Sequence, residues 1–87
     1  MTIKLEENSV SIEIINDIIR CERVEAIERI VKEAIRKLGL EDDLYLYEGV
    51  NYATIYTSED ITTVTIYKEE GAVSHFDDLI DDILQAV

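Results

Sequence analysis

The chain has no proline and no tryptophan, one cysteine, one histidine and three glycines in 87 residues. No Pro-, Gly- or Ser-rich stretch divides it and no internal repeat is visible, so nothing marks a linker. Cys21 stands alone, which excludes an internal disulfide and fits a reducing cytosol. No segment approaches the ~20 apolar residues of a membrane span. Glu6, Glu7 and Glu13 occupy the region where a signal peptide needs an apolar run, so a cytoplasmic protein is expected. Gly39, Gly49 and Gly71 are isolated, each placed as a turn or helix stop, and none belongs to a phosphate-cradling loop. Cations are scarce too: eight Lys and Arg stand against twenty Asp and Glu, a net charge of −12. Direct binding to nucleic acid or an anionic membrane is therefore not expected, since both would meet a field of their own sign.

What is present is aliphatic and acidic. Val, Ile, Leu and Phe make up 29 of the 87 residues, well above the roughly 20% at which disorder sets in. At this length residues 1–87 are read as a single domain with one core. The negative charge is uneven. Residues 1–37 hold eight acids and seven bases, whereas residues 38–87 hold twelve acids and Lys68 alone. Like charges crowded on a small domain repel across the compact state and add nothing to its stability. Such an asymmetry points to a surface that meets something basic.

Hydrophobic periodicity divides the chain into elements. Ile3, Leu5, Val10, Ile12 and Ile14 alternate around the turn-like Glu7-Asn8-Ser9, which predicts an N-terminal hairpin. Asn16 and Asp17 could cap a helix that starts anywhere from 17 to 22. From about Glu22 the period becomes helical, with Val24, Ile27, Val31, Ala34, Ile35 and Leu38 on one stripe. Ile18 and Ile19 lie off that stripe. Glu25–Arg29, Glu28–Lys32 and Glu33–Lys37 are spaced as surface ion pairs, and Gly39-Leu40 reads as a helix stop. Three strands are predicted next, at 44–48, 52–57 and 61–68, joined by short connections as an antiparallel meander. Ser74 and Asp77 then open a helix whose apolar stripe runs Phe76, Leu79, Ile80, Ile83, Leu84, Val87. The order ββαβββα predicts an α+β fold: one antiparallel sheet in a two-layer arrangement, with two helices on one face.

Two surfaces are candidates for function. On the last helix, Asp77, Asp78, Asp81 and Asp82 lie opposite the apolar stripe. They span about 7.5 Å of helix axis, one charge per roughly 1.9 Å, close to the ~1.7 Å per charge of duplex DNA. Glu59-Asp60 and Glu41-Asp42-Asp43 are expected at one end of the strands, and Glu48 with Glu69-Glu70 at the other. The strand length would spread these groups over roughly 20–25 Å. One reading makes them a rigid decoy for a nucleic-acid-binding groove; the other makes them an ordinary solvated face. The second surface is aromatic. Tyr45, Tyr47, Tyr52, Tyr56 and Tyr67 share one strand parity with Thr54, Thr63 and Thr65, away from the helices. Tyrosine joins a large ring to a hydroxyl and suits an interface, including one between two copies of the chain. Cross-strand Tyr–Thr pairing on an open face accounts for the same pattern.

Chemistry-bearing motifs are few. Asp77-Asp78-Leu79-Ile80-Asp81 spells DDxxD, but Mg²⁺–diphosphate chemistry needs a second acidic set facing the first across a deep cavity, and the chain supplies none. His75 has no nucleophile or second imidazole placed with it. Cys21 lies between Arg20 and Arg23, which could favour a thiolate, but a small buried or half-buried packing residue is the expectation. No catalytic residue, metal site or cofactor is assigned, and a non-enzymatic protein is expected.

At the level of architecture and charge the chain resembles small acidic inhibitors encoded by phages and mobile elements, the DNA-mimicking and anti-CRISPR proteins. Some of these run helix, three-stranded meander, helix, as residues 22–87 are predicted to do. Bacterial immunity proteins, which neutralise nuclease toxins with acidic surfaces, look similar at the same level. The resemblance implies a host-cell cytosolic inhibitor whose partner is a basic nucleic-acid-binding effector, most simply a nuclease. Asp77, Asp78, Asp81, Asp82, Glu69 and Glu70 would be the mimicking carboxylates. Glu59 and Asp60 extend the acidic surface, and Tyr45 and Tyr56 supply short-range contacts. A self-associating structural or adaptor module using the Tyr/Thr face is the alternative.

Overall fold

A computed structural model describes residues 2–38, 52–67 and 76–87. Strands β1 (Ile3–Leu5) and β2 (Ser9–Ile15) form the expected N-terminal hairpin. Two helices follow, α1 (Asn16–Arg20) and α2 (Val24–Lys37), then β3 (Tyr52–Thr57), β4 (Ile61–Tyr67) and α3 (Phe76–Gln85). The four strands make one antiparallel sheet in the order β1-β2-β4-β3. The fold is α+β, with the helices on one face. The predicted strand at 44–48, the helix stop at Gly39-Leu40, Gly71, and Ser74 as the start of the last helix lie outside the described residues.

Strand parity decides which side chains meet the helices. Along β2, Val10, Ile12 and Ile14 are fully buried while Glu13 and Ile15 are exposed. Along β4, Thr62, Val64 and Ile66 are buried and the residues between them are half-buried. The register sets Val10 opposite Ile66 and Ile12 opposite Val64, so the two central strands present one continuous apolar strip. It shares one buried cluster with Ile27, Val31, Ala34 and Ile35 of α2, which lies against β2, and with Phe76, Leu79, Ile80 and Ile83 of α3, which lies against β3. Burying each of these Val, Leu, Ile and Phe side chains contributes about 1.5–3 kcal/mol, which is what holds the layers together.

The first predicted helix is broken. Ile19 is 2 % exposed, yet it lies off the α2 stripe, so a straight helix would bury one set at the expense of the other. The chain resolves this with a turn at Cys21-Glu22, where Glu22 takes a positive φ of 51°. Asn16 is inside α1 and caps nothing; the residue before the helix is Ile15, and no side chain caps its first turn. Cys21 is exposed in this turn rather than packed, because Ile18 and Ile19 supply the apolar contacts there.

On α2, Glu33 pairs with Arg36 at 3.1 Å, three residues on, rather than with Lys37. Glu25–Arg29 and Glu28–Lys32 are not among the ion pairs formed by the described residues. Lys32 instead sets its Nζ 5.5 Å from the centre of the Phe76 ring, a cation–π contact that links α2 to the start of α3. Val87, expected on the α3 stripe, is 41 % exposed because the helix ends at Gln85.

Candidate functional site

The acidic helix is built as its periodicity predicts. Residues at i, i+3, i+4 and i+7 share a helix face, so burying Phe76, Leu79, Ile80 and Ile83 turns the alternate residues outward. Asp77, Asp78, Asp81 and Asp82 are all exposed, and no base stands in the last turn of α3. Asp77 and Asp78 sit in the first turn, where the positive helix end favours them. Asp81 and Asp82 have no such compensation. Each lies one turn from an earlier aspartate, and like-charge pairs at that spacing cost about 0.2–0.5 kcal/mol each.

Glu59 and Asp60 occupy the β3–β4 turn, both exposed. Their backbone is held by a residue far away in sequence. Asn16 Nδ2 donates to the carbonyls of Ser58 at 2.9 Å and Glu59 at 3.2 Å. The Asn16 backbone N–H donates to the Asp60 carbonyl at 2.9 Å. Three successive carbonyls thus point toward Asn16, which fixes the turn from which the two carboxylates project. Thr62 Oγ1 donates to Asn16 Oδ1 at 2.7 Å, and the Thr57 and Thr62 hydroxyl oxygens are 3.1 Å apart. Because Asn16 begins α1 and α1 contacts α3, the helix carrying the aspartates and the turn carrying Glu59 and Asp60 share α1 as a neighbour.

The sheet face turned from the helices carries the hydroxyl side chains. Tyr67 and Ser9 align across β4 and β2; the next row, across β3, β4 and β2, is Thr54, Thr65 and Ser11, and the next is Tyr56, Thr63 and Glu13. Ser11 Oγ and Thr65 Oγ1 are hydrogen-bonded at 3.0 Å. Tyr56 is 72 % exposed and Tyr67 half-buried. Cross-strand hydroxyl pairing is therefore present on this face, and Tyr56 stands proud of it.

Of the residues singled out from sequence, Asp77, Asp78, Asp81 and Asp82 come together on one helix, Glu59 and Asp60 on one turn, and Tyr56 on the open face. Glu69, Glu70, Tyr45 and His75 lie outside the described residues. Asp77, Asp78 and Asp81, which carry the DDxxD spelling, lie on a convex helix surface, and among the described residues no group of three or more His, Cys, Asp or Glu is placed to hold a metal ion. No helix among them is long and apolar enough to cross a membrane. Sequence reasoning missed Asn16 and Thr62 as a buried polar pair, 1 % and 0 % exposed. It also missed the Ile15–Ile61 pair, although strand parity places both with the outward Glu13 and Thr63. No family model, curated protein or solved structure matches the chain.

Proposed function

We propose that the chain is a non-enzymatic inhibitor that sets its acidic surface into a basic groove of a nucleic-acid-binding protein, in the manner of DNA-mimicking or anti-CRISPR proteins or of nuclease-toxin immunity proteins. A single observation carries this reading. Asp77, Asp78, Asp81 and Asp82 are exposed on the outward side of α3, and residues 52–67 and 76–87 contain no lysine or arginine. The helix keeps these charges although those of its second turn weaken it, and long-range attraction to a cationic groove would repay that with fast association. Glu59 and Asp60 widen the anionic surface at the α1 end. A CRISPR nuclease is the simplest target of this chemistry.

The test is capture of the target on immobilised chain at low ionic strength, elution along a salt gradient, and assay of the eluted protein for nucleic-acid binding with and without the chain. The captured protein is expected to bind nucleic acid and to lose that binding when the chain is added. Replacing Asp77, Asp78, Asp81 and Asp82 together by lysine should abolish both capture and inhibition. Retention of inhibition by the quadruple variant would refute the decoy reading.

Exposure of Tyr56 on the hydroxyl face favours a second reading, self-association of a structural or adaptor module through the sheet. Light scattering after size exclusion separates the two: a stable dimer dispersed by Tyr56→Glu or Tyr45→Glu would support the module.

A further inference from the structure

Two of the large apolar side chains left exposed among the described residues sit together at one end of the open sheet face. Tyr56 is 72 % and Ile15 51 % exposed. Ile15 lies opposite Ile61, and one step along the strands Tyr56 and Glu13 flank Thr63 from its two sides. Tyr56 is thus the diagonal neighbour of Ile61, about 7–8 Å between backbones and within reach of an aromatic side chain. Tyr56, Ile61 and Ile15 form a short apolar step across three strands.

Among the described residues, the charges on β2, β3, β4 and the turn that border this step are acidic. Glu13 stands on the face itself, Glu59 and Asp60 stand in the adjoining turn, and all three are exposed. Strands β2, β3 and β4 carry no lysine or arginine. Lys4, on β1, is engaged with Glu6 at 3.4 Å. A second copy of the chain would bring the same carboxylates and a further net charge of −12 to this face. A cationic segment would meet complementary charge. Arginine fits better than lysine, because its planar guanidinium stacks on an aromatic ring while donating in-plane hydrogen bonds to carboxylates.

We propose that this end of the sheet docks an arginine-bearing segment of a protein partner, one guanidinium stacking on Tyr56 and pairing with Glu59 or Asp60, and an adjacent aliphatic residue seating on Ile15 and Ile61. This names a second contact for the partner class proposed above and rests on that reading only in taking the partner to be basic.

The experiment is a titration of isotope-labelled full chain, followed by amide shifts, with a peptide alternating arginine and leucine. A peptide of equal charge alternating lysine and serine is the control. Shifts are expected at Ile15, Tyr56, Ile61 and Thr63, with the arginine–leucine peptide bound at least about tenfold more tightly, the margin expected of a buried anchor residue. The exposed-site variants Ile15→Ser and Tyr56→Ser should each remove most of that margin, whereas Tyr56→Phe should keep it. Replacing the four α3 aspartates by asparagine should leave these shifts in place. Failure of the unmodified chain to capture a target, beside an intact sheet response, would count against the helix reading alone. Equal binding of the two peptides, or shifts confined to α3, overturns the proposal. So do concentration-dependent shifts at these residues without peptide, which make a second copy the occupant.

Discussion

Asn16 shows how one side chain ties a distant turn to the core. Its amide nitrogen serves two turn carbonyls and its amide oxygen accepts from Thr62. A hydroxyl has one proton to give. Since Thr62 gives its own to Asn16, the proton of the 3.1 Å Thr57–Thr62 contact must come from Thr57. The network therefore runs in one direction, from Thr57 through Thr62 and Asn16 to the turn. Asn16→Ala would leave the buried Thr62 hydroxyl without its acceptor, and denaturant unfolding is expected to show a loss of about 1–3 kcal/mol. Thr62→Val should lose a comparable amount, and the double variant should lose clearly less than the sum, because each single change strands the other's partner. Losses that add without coupling would show that the two side chains do not act together. The identity of Asn16 was legible as a helix-boundary residue, the commonest use of asparagine before a helix. Its actual partners lie more than 40 positions away, where no local pattern reaches.

At the scale of the element, α3 joins an apolar inner face to an outer face of like charges. The stripe that buries Phe76, Leu79, Ile80 and Ile83 is ordinary core packing, but the outward face places Asp78 and Asp82 one turn apart and leaves the negative helix end without a cation. Asp82→Lys turns a repulsive pair into an attractive one and meets the dipole. It is expected to raise unfolding free energy by about 0.5–1 kcal/mol at low salt while weakening target capture. Lower stability from this change would mean that Asp82 makes a favourable contact. Both stripes could be read from the sequence, since a 3.6-residue period survives in a linear string. The break between α1 and α2 could not. It arises because Ile19 and the α2 stripe must reach the same core from different sides of the chain, and Glu22 absorbs the rotation.

For the whole molecule the net charge of −12 gives salt two opposite effects. Raising ionic strength from about 0.01 M to 0.15 M shortens the screening length from about 30 Å to 8 Å. Repulsion within the folded chain then fades, so the thermal midpoint should rise across that range. Affinity for a basic partner should fall over the same range, since it draws on the same charges. A midpoint that is flat or decreasing with salt would mean that the carboxylates are already compensated within the fold.

The string of residues by itself determined the strand and helix periodicities, the aliphatic inward stripes of β2, β4, α2 and α3, the α+β class and the outward run of aspartates on α3. These depend on spacing and on which side chains avoid water, and both are local properties. Only the tertiary structure decided that β2 of the hairpin joins β4 rather than the other sheet edge, that Asn16 grips the 58–60 turn, and that Ile15, Ile61 and Tyr56 meet on one open face beside Glu13. Each of those depends on hydrogen-bonding edges and polar groups finding partners across long stretches of chain, and the choice among partners is made by the packing of the assembled core.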